Sequence, residues 1–412
     1  MNRPRDFDVV IVGAGVVGAT MAALLAARRL TKPGRVALLA ERFMPAVGAD
    51  ADWDLRVYAL SRASQRLLTI CGVWEHLPAH RKCAYEHMRV WDAAGTPHGA
   101  GALVFDCAEI AEPNLGFIID GRVLQWQCLQ SARASGAVLI EGELGSIGAN
   151  ESEVGVRTSD GREFCAKLLI GADGTESRVR TLLGIDTAGH VYGQDALVAH
   201  VRTAEPHQST AWQRFLGQGP IAFLPLADGR SSIVWSAARS EAPRLRALDA
   251  AAFGAAVTEA GAGVLGRCEL TTAVASYPLQ LKYAVEYARP RAVLLGDAAH
   301  VVHPLAGQGL NLGLMDCAAL AEVLGGAGGA AHFGEHRILR RYERWRRSEN
   351  LLAAAALDGM ERLFSNGGAV HAALRTAALS AAGKLPFIKR RLAWRALGLS
   401  GDIPAFLRAD RA

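Results

Sequence analysis

The stretch VVIVGAGVVGATMAALLAA, from Val9 to Ala27, contains nineteen residues and no charge. About 20 apolar residues are enough to cross a bilayer, and a basic start followed by small residues is typical of a signal peptide. The stretch nevertheless has two halves. A β-branched run ending at Val12 precedes Gly13, Gly15 and Gly18, and an Ala/Leu-rich segment that favours a helix follows. We therefore interpret it as strand, glycine turn and helix.

The spacing G-x-G-x-x-G in this context is the dinucleotide-binding fingerprint. The first glycine permits a tight turn, the second lets the backbone approach a pyrophosphate, and the third lets the helix pack closely on the strand. The helix N-terminus adds free N–H groups for the phosphates. The run RVALLAERF predicts a second strand ending at Glu41, 23 residues after Gly18, near where an acidic residue grips a ribose hydroxyl. The alternative is a hydrophobic helix with an unrelated surface glutamate.

Length and composition limit the class of protein. With 412 residues, 50% of them hydrophobic, the chain is long enough for two domains and a helical appendix. Its 7 cysteines are scattered without a C-x-x-C pair, which argues against a disulfide framework or a zinc site and favours a reducing cytoplasm. No second uncharged run is long enough to span a bilayer. We expect no metal and no nucleic-acid partner.

The positive charge is concentrated near the C-terminus. From Ala331 to Ala412 there are 15 Lys and Arg against 7 Asp and Glu, a net of +8, while the whole chain carries +5. The basic residues cluster at Arg337–Arg347 and Lys384–Arg395, and the second cluster is interleaved with Leu, Ile and Trp as in interfacial helices. Docking on an anionic membrane surface and a solvated helix face explain this pattern about equally well.

Strand-like and helical segments predict an interrupted organisation. We expect a helix over SRASQRLLTICGVWEHL, a β-meander from Ala137 to Gly174, and a helix from about Asn311 after the buried strand at AVLLGDAAH. The predicted fold class is α/β, with a Rossmann-like domain and an inserted β-sheet domain. The first comprises residues 1–80, 113–185 and 286–330, the second comprises 81–112 and 186–285, and a helical segment comprises 331–412.

Two further motifs lie far from the first in the sequence. GADGTESRVR spans Gly171–Arg180, and LLGDAAHVVHPLAGQGLNLGLMD spans Leu294–Asp316. Together with GAGVVG they resemble the flavoprotein aromatic hydroxylases, the class A FAD monooxygenases, along almost the whole chain. HQSTAWQRFLGQGPIAFLPL, SIVWS and LPFIKRRLAWRALGLSGDIP are similar to the ubiquinone-biosynthesis branch, the 2-polyprenylphenol hydroxylases. Met315, where this branch usually has Arg, and IIDGRVLQ, ahead of the Arg122 helix, depart from its pattern.

The resemblance implies which residues hold FAD. Asp297 is expected to bind a ribityl hydroxyl, and the helix N-terminus that follows would stabilise negative charge on reduced flavin. Asp173 is expected to contact FAD and to assist nicotinamide binding. His300 and His303 are expected to be structural. The predicted cofactor-contacting residues are Gly13, Gly15, Gly18, Glu41, Arg42, Arg56, Arg122, Asp173, Gly296, Asp297, Pro304, Gly307, Gly309, Leu310 and Asn311, with Pro304, Gly307, Gln308 and Gly309 placed near the isoalloxazine.

The resemblance also implies a reaction, the hydroxylation of an aromatic ring carbon of a polyprenylated phenol in ubiquinone biosynthesis. NAD(P)H or another donor reduces FAD, O₂ adds at the flavin C4a atom, and the terminal oxygen passes to the electron-rich ring. Water must be excluded, and no general base is identified because the phenol supplies the nucleophilic carbon.

Three alternatives stay open. They are a hydroxylase of a small soluble aromatic, a related FAD halogenase or prenyl reductase, and an inactive flavoprotein scaffold in a biosynthetic complex. We expect a cytoplasmic protein. Peripheral contact with the inner membrane, contact with other ubiquinone-biosynthesis proteins and homo-oligomerisation are left open.

Overall fold

The computed structural model describes residues 5–48, 50–99, 101–302, 308–365, 394, 397–398 and 401–408. Pro304 and Gly307 of the predicted flavin loop, together with His303, lie outside the described residues, as does nearly all of the basic cluster Lys384–Arg395. The fold class α/β is confirmed. Within the described residues the strands form three sheets of eight, nine and three strands, and helices pack on the two larger sheets.

The strands are β1 (Arg5–Val12), β2 (Val36–Ala40), β3 (Val57–Leu60), β4 (Lys82–Tyr85), β5 (His87–Asp92), β6 (Leu103–Asp106), β7 (Gly116–Asp120), β8 (Val138–Glu141), β9 (Leu144–Ala149), β10 (Val154–Thr158), β11 (Glu163–Gly171), β12 (Thr187–Thr203), β13 (Thr210–Leu216), β14 (Gly219–Pro225), β15 (Ser231–Ala238), β16 (Cys268–Leu270), β17 (Ala275–Ala284), β18 (Ala288–Arg289), β19 (Ala292–Leu294) and β20 (His300–Val301). The helices are α1 (Val16–Ala27), α2 (Arg62–Ile70), α3 (Gly121–Ala134), α4 (Arg178–Leu182), α5 (Ala242–Arg246), α6 (Ala250–Ala260), α7 (Gln308–Gly325) and α8 (His336–Ser365).

The first sheet has the strand order β18-β19-β11-β1-β2-β8. Strands β19, β11, β1, β2 and β8 run parallel, and β1 lies in the centre with Val9, Val10 and Ile11 almost completely buried. Such an apolar, β-branched strand suits a parallel sheet that is covered on both faces. Helices α1, α3 and α7 provide part of this cover.

The glycine turn explains how α1 sits so close to this sheet. Gly13 has a φ of +106°, and a Cβ atom on it would lie 2.2 Å from the carbonyl oxygen of Ala172. A Cβ atom on Gly18 would lie 1.9 Å from the carbonyl oxygen of Gly13. A Cβ atom on Gly15 would meet nothing within 4 Å. Two of the three glycines are therefore required by the fold itself, while the middle one borders open space.

The second sheet has the order β20-β17-β12-β15-β14-β13-β5-β6, with β16 added to β12. One of its faces is covered by α5 and α6, where Leu197, Phe223 and Ile233 form a core with Phe253 and Val257. The third sheet, β3-β7-β4, joins the two larger ones. Segments of the two predicted domains pair with each other at this junction. Strand β4, predicted in the β-sheet domain, pairs with β7, and β20, predicted in the Rossmann-like domain, pairs with β17.

Three predicted elements and one predicted charge cluster differ from the structure. The predicted helix over SRASQRLLTICGVWEHL is shorter: α2 ends at Ile70 because Gly72 turns the chain with a φ of +67°. The second strand ends at Ala40, one residue before Glu41. The predicted meander is wrong at β8, which pairs in parallel with β2 because α3 carries the chain back along the sheet. The fourth difference is in the Arg337–Arg347 cluster, where Arg346 is 4% exposed and pairs with Asp316, so the cluster does not all face solvent.

We expect Gly18→Ala and Gly15→Ala to separate folding from ligand binding. Gly18→Ala should lower the free energy of unfolding of the cofactor-free protein by about 1–3 kcal/mol, since the added methyl overpacks the turn. Gly15→Ala should change it by roughly 1 kcal/mol or less, because only a preference of glycine over alanine at the helix start is lost. Chemical denaturation measures both. Equal losses in the two variants would contradict this account of the turn.

Candidate active site

The three sequence motifs meet at one edge of the first sheet. Parallel strands β1, β2, β11 and β19 all end there, and open α/β sheets bind ligands outside the carboxyl ends of their strands. The backbone N–H of Gly13 donates to the carbonyl of Leu39 at 2.8 Å, and that of Leu295 donates to the carbonyl of Gly171 at 2.8 Å. A third bond, from the N–H of Ala172 to the carbonyl of Val12 at 2.8 Å, completes the connection between the glycine turn and the Gly296–Asp297 turn.

The glycine turn presents a helix start with unused backbone donors. Gly15 is the N-cap residue of α1 and has no side chain to cap it. The space beside it is open, and Glu41 and Arg42 are exposed immediately after β2. Gln125 on α3 supports the turn from outside by donating to the carbonyl of Ala14 at 3.2 Å. This arrangement can receive a pyrophosphate at the helix end and a ribose beside Glu41.

The Gly296–Asp297 turn lies beside the glycine turn. Gly296 has a φ of +56°, and a Cβ atom on it would be 3.2 Å from a methyl of Val17 on α1. Gly313 on α7 packs against the same turn, since a Cβ atom added to it would lie 3.1 Å from the Cα of Gly296. The Asp297 side chain keeps contact with solvent, but protein atoms surround it on most sides. Burial among the neighbouring atoms raises the pKa of its carboxyl, and the charges of His300 and Arg56 partly offset that rise.

Arg56 connects the cofactor side to the second sheet. Its guanidinium carbon lies 5.8 Å from the centre of the Tyr277 ring, and its charge also lies beside the phenol of Tyr58. Burial raises the pKa of Tyr58, so its phenol stays neutral at physiological pH. Arg122, at the start of α3, is exposed and donates to the carbonyl of Asp52 at 2.8 Å. Both predicted arginines therefore lie where the two sheets meet.

Two predicted cofactor contacts have their side chains occupied by the protein. Asp173 accepts hydrogen bonds from the hydroxyl of Ser177 at 2.5 Å and from the N–H of Val179 at 2.9 Å. The second bond satisfies a backbone N–H in the first turn of α4, so Asp173 helps to cap this helix. Asn311 is 5% exposed and accepts from the N–H of Ser61 at 2.9 Å, and it holds the β3–α2 junction. We expect any contact of these two residues with a nucleotide to come from backbone atoms.

The loop after β20 is described only from Gln308 onward. There α7 has already begun, three residues before the predicted start at about Asn311. Gln308, Gly309 and Leu310 are half-buried, so the first turn of α7 borders the surface of the site. Pro304 and Gly307 remain predictions.

Residues that the sequence did not single out hold the Gly296–Asp297 turn. Arg180 donates to the carbonyl of Ala298 at 3.0 Å, and the N–H of Gly296 donates to the carboxylate of Asp316 at 3.0 Å. Both residues belong to the motifs quoted above, at the end of GADGTESRVR and of GLNLGLMD. Their position in the motifs was the available signal, but only the structure shows which backbone atoms they bind.

The face of the second sheet opposite α6 carries a row of small apolar side chains. Ala275, Val198, Val234 and Ala222 lie opposite one another on β17, β12, β15 and β14, and each is only half-buried. Side chains in the middle of a sheet would be fully buried if another layer packed directly on them. Tyr277, two residues from Ala275 on the same face, lies beneath Arg56. We call these four residues the apolar row; Arg56, over the Tyr277 ring on the same face, also lies close enough to Asp297 for their charges to interact.

Other kinds of site find no support in the described part of the chain. No group of three or more His, Cys, Asp or Glu side chains is placed to hold a metal ion there. No helix among the described residues is both long and apolar enough to cross a membrane. His300 is buried and donates to Asp316, so its ring packs inside the protein.

Comparison with known proteins decides the family. A family model described as FAD binding domain matches residues 130–352. The 3-demethoxyubiquinol 3-hydroxylase of Escherichia coli strain K12 is 34% identical over 406 residues, covering 97% of this chain and 100% of its own. The chain belongs to the FAD-dependent ubiquinone-biosynthesis hydroxylases. The present chain is also 34% identical to the ubiquinone hydroxylase UbiL of Rhodospirillum rubrum, and the match covers 97% of this chain and 92% of UbiL.

A human relative supports this assignment, and two solved structures share the fold. Ubiquinone biosynthesis monooxygenase COQ6 of Homo sapiens is 33% identical over 94% of this chain and 91% of its own. The p-nitrophenol 4-monooxygenase PnpA of Pseudomonas putida has the same fold, with a TM-score of 0.74 and 18% identity over 95% of this chain and 98% of its own. PqsL of Pseudomonas aeruginosa has a TM-score of 0.70 and 23% identity over 91% and 99%.

The hydroxylase is therefore an FAD-dependent aromatic monooxygenase, with NAD(P)H as the reductant typical of the family. The residues at the strand ends fit FAD. The open space beside Gly15 would admit a phosphate close to the backbone, and the carboxylate of Asp297 lies on the neighbouring turn, beside Val17 of α1. Which atoms contact the cofactor remains a proposal.

We expect Asp297→Ala to weaken FAD binding about tenfold to a hundredfold, because a hydrogen bond to a charged group contributes roughly 1.5–3 kcal/mol. Titration of the cofactor-free protein with FAD, followed by flavin fluorescence, gives the dissociation constant. Asp195→Ala is the control, since Asp195 on β12 pairs with Arg239 away from this turn. An unchanged constant for Asp297→Ala would show that this residue only closes a turn.

Proposed function

We propose that this hydroxylase inserts one oxygen atom from O₂ into an aromatic ring carbon of a polyprenylated phenol in ubiquinone biosynthesis. The observation that carries the proposal is the half-buried apolar row, which Arg56 and Tyr277 connect to the cofactor side of the molecule. The similarity to a 3-demethoxyubiquinol 3-hydroxylase over the full length of both chains supports the substrate class.

The apolar row suits a neutral ring with an apolar tail. Its four side chains are small and uncharged, so they leave room for a planar ring and make no ion pair with it. A small soluble aromatic acid would be better matched by a cation in this row. The nearest position on β13 is instead Gln213, which is buried and lies opposite Ala222.

The side chains of the site bind, orient and exclude water. When bound, FAD supplies the redox chemistry and the activation of O₂. Gly15 and Asp297 would hold the cofactor, while Arg56 and the neutral phenol of Tyr58 lie between the cofactor side and the apolar row. The apolar row keeps water from the reacting atoms. Excluding water limits the side reaction in which reduced O₂ is released as hydrogen peroxide and the ring is not hydroxylated. A phenol ring supplies its own nucleophilic carbon, so we assign no general base.

We also propose the domain division given above and peripheral contact with a membrane. A polyprenyl tail keeps the substrate in lipid, so the enzyme must meet it at a surface. On the described part of α8, Arg341 and Arg344 are exposed and available to anionic headgroups, each contributing about 1 kcal/mol near such a surface. Arg346 is excluded from this role by its burial. Self-association and protein partners stay open.

Oxygen labelling tests the reaction. With ¹⁸O₂, a reductant and a prenylated phenol, the product should carry one ¹⁸O atom on a ring carbon, measured by mass spectrometry. The prenylated phenol should also stimulate NAD(P)H oxidation. Label arriving from H₂¹⁸O, or no turnover of any phenol by the FAD-loaded protein, would contradict the proposal, and the second result would favour an inactive scaffold.

Filling the apolar row tests the position of the substrate. We expect Val234→Phe to lower kcat/KM about tenfold to a hundredfold with an unchanged FAD dissociation constant, since misfit in an apolar pocket changes discrimination by about 1–3 kcal/mol. Val191→Phe is the matched control, because Val191 is 56% exposed on β12 outside the row. Wild-type kcat/KM in Val234→Phe would place the ring elsewhere.

A further inference from the structure

Asp316 on α7 is a completely buried carboxylate that accepts four hydrogen bonds. One oxygen accepts from Nε of Arg346 at 2.8 Å and from Nδ2 of Asn350 at 3.1 Å. The other accepts from Nε2 of His300 at 2.6 Å and from the backbone N–H of Gly296 at 3.0 Å. A buried charge is tolerated only with such pairing. The four donors come from α8, β20 and the turn before Asp297, so Asp316 connects all three.

The charge state of Asp316 follows from these contacts. Burial by itself would raise the pKa of the carboxyl, but the charges and hydrogen bonds of His300 and Arg346 outweigh it and lower the pKa to about 2. The group is therefore a carboxylate that only accepts, and Nε2 of His300 must carry the hydrogen. Nδ1 of that ring is buried and has no hydrogen-bond partner among the described residues. Among the described residues, the His300 ring therefore hydrogen-bonds to Asp316 alone.

The bond to Gly296 gives Asp316 direct control of the cofactor turn. Gly296 adopts a left-handed φ of +56°, and Asp297 is the next residue along the chain. Arg180 grips the far side of the turn through the carbonyl of Ala298 at 3.0 Å. With both ends of the turn held, the backbone that carries the Asp297 side chain is fixed before any ligand arrives. Such support of a binding group by buried partners reduces the ordering needed on binding.

We propose that Asp316, oriented by His300 and Arg346, is the positioning residue that sets the Gly296–Asp297 turn for the ribityl chain of FAD. The inference rests on the proposed role of Asp297. It assigns Asp316 no contact with FAD, so its effect must pass through the turn.

A double-mutant cycle on FAD affinity tests this, because residues that act through one another give non-additive losses. The FAD dissociation constant of the cofactor-free protein is measured for Asp316→Asn, Asp297→Ala and the double variant. We expect Asp316→Asn to weaken FAD binding about tenfold, and to cause less than a twofold further loss when Asp297 is already Ala. A full tenfold further loss in the double variant would overturn the inference.

Glu343→Gln is the matched control for general damage to the core. Glu343 is also a buried carboxylate, on α8, and it accepts from the N–H of Tyr287 at 3.0 Å and from Arg340 at 2.8 Å. It does not bind the Gly296–Asp297 turn. We expect this variant to lower the thermal midpoint while the folded protein keeps its FAD affinity. A loss of FAD affinity as large as that of Asp316→Asn would overturn the inference.

His300 provides a milder pair of variants should Asp316→Asn fail to fold. His300→Gln keeps a side-chain N–H that can donate to Asp316 and should retain FAD affinity within about twofold. His300→Leu removes the donor and should weaken it about threefold to tenfold, and equal affinities in both variants would count against the inference. If Asp297→Ala alone leaves FAD affinity unchanged, the proposed role of Asp297 fails first and the inference with it. That result is distinct from additive losses, which overturn the inference alone.

Discussion

The contact between the backbones of Gly13 and Gly18 is the constraint on which the site depends. A side chain at Gly18 would force α1 away from the end of β1, since its Cβ atom would lie 1.9 Å from the Gly13 oxygen, and one at Gly13 would lie 2.2 Å from the Ala172 oxygen. With α1 so close, its N-terminus points to the edge where β1, β2, β11 and β19 end. Val17, on the first turn of this helix, then sets the distance to the Gly296–Asp297 turn. Motifs almost 300 residues apart in the sequence meet because of this one close approach.

The second constraint joins the cofactor side to the substrate side. The short segment from Asp52 to Asp54 is held from both directions. His200, on the second sheet, bonds through Nε2 to the carbonyl of Asp54 at 3.0 Å, and Arg230 forms an ion pair with Asp52. From the other side, the carboxylate of Asp120 accepts from the N–H of Asp54 at 3.0 Å. Trp53 is buried against Ile118 on β7 and Leu226 after β14, so this segment is fixed between the third sheet and the second.

The sequence predicted the α/β class, the glycine turn and the family, because these follow from local patterns: glycine spacing, a β-branched run and quoted motifs. It could not predict what depends on distant partners. Asp173 and Asn311 are polar residues in motifs, yet their side chains cap α4 and hold the β3–α2 junction. Arg346 belongs to a basic run that predicts a surface charge, but α8 brings it into a buried ion pair with Asp316. Strand β8 matched a meander by its spacing, but the crossover through α3 decides its partner. The apolar row had no signal at all, because it is formed by register across four strands.

A structure of the protein with FAD bound tests the central claim most directly. We predict the pyrophosphate against the N–H groups at the start of α1 beside Gly15, the Asp297 carboxylate within hydrogen-bond distance of the ribityl chain, and the flavin ring facing the apolar row at Val198 and Val234. FAD bound at another edge of the sheet, or Asp297 turned away from the ribityl chain, would contradict the account.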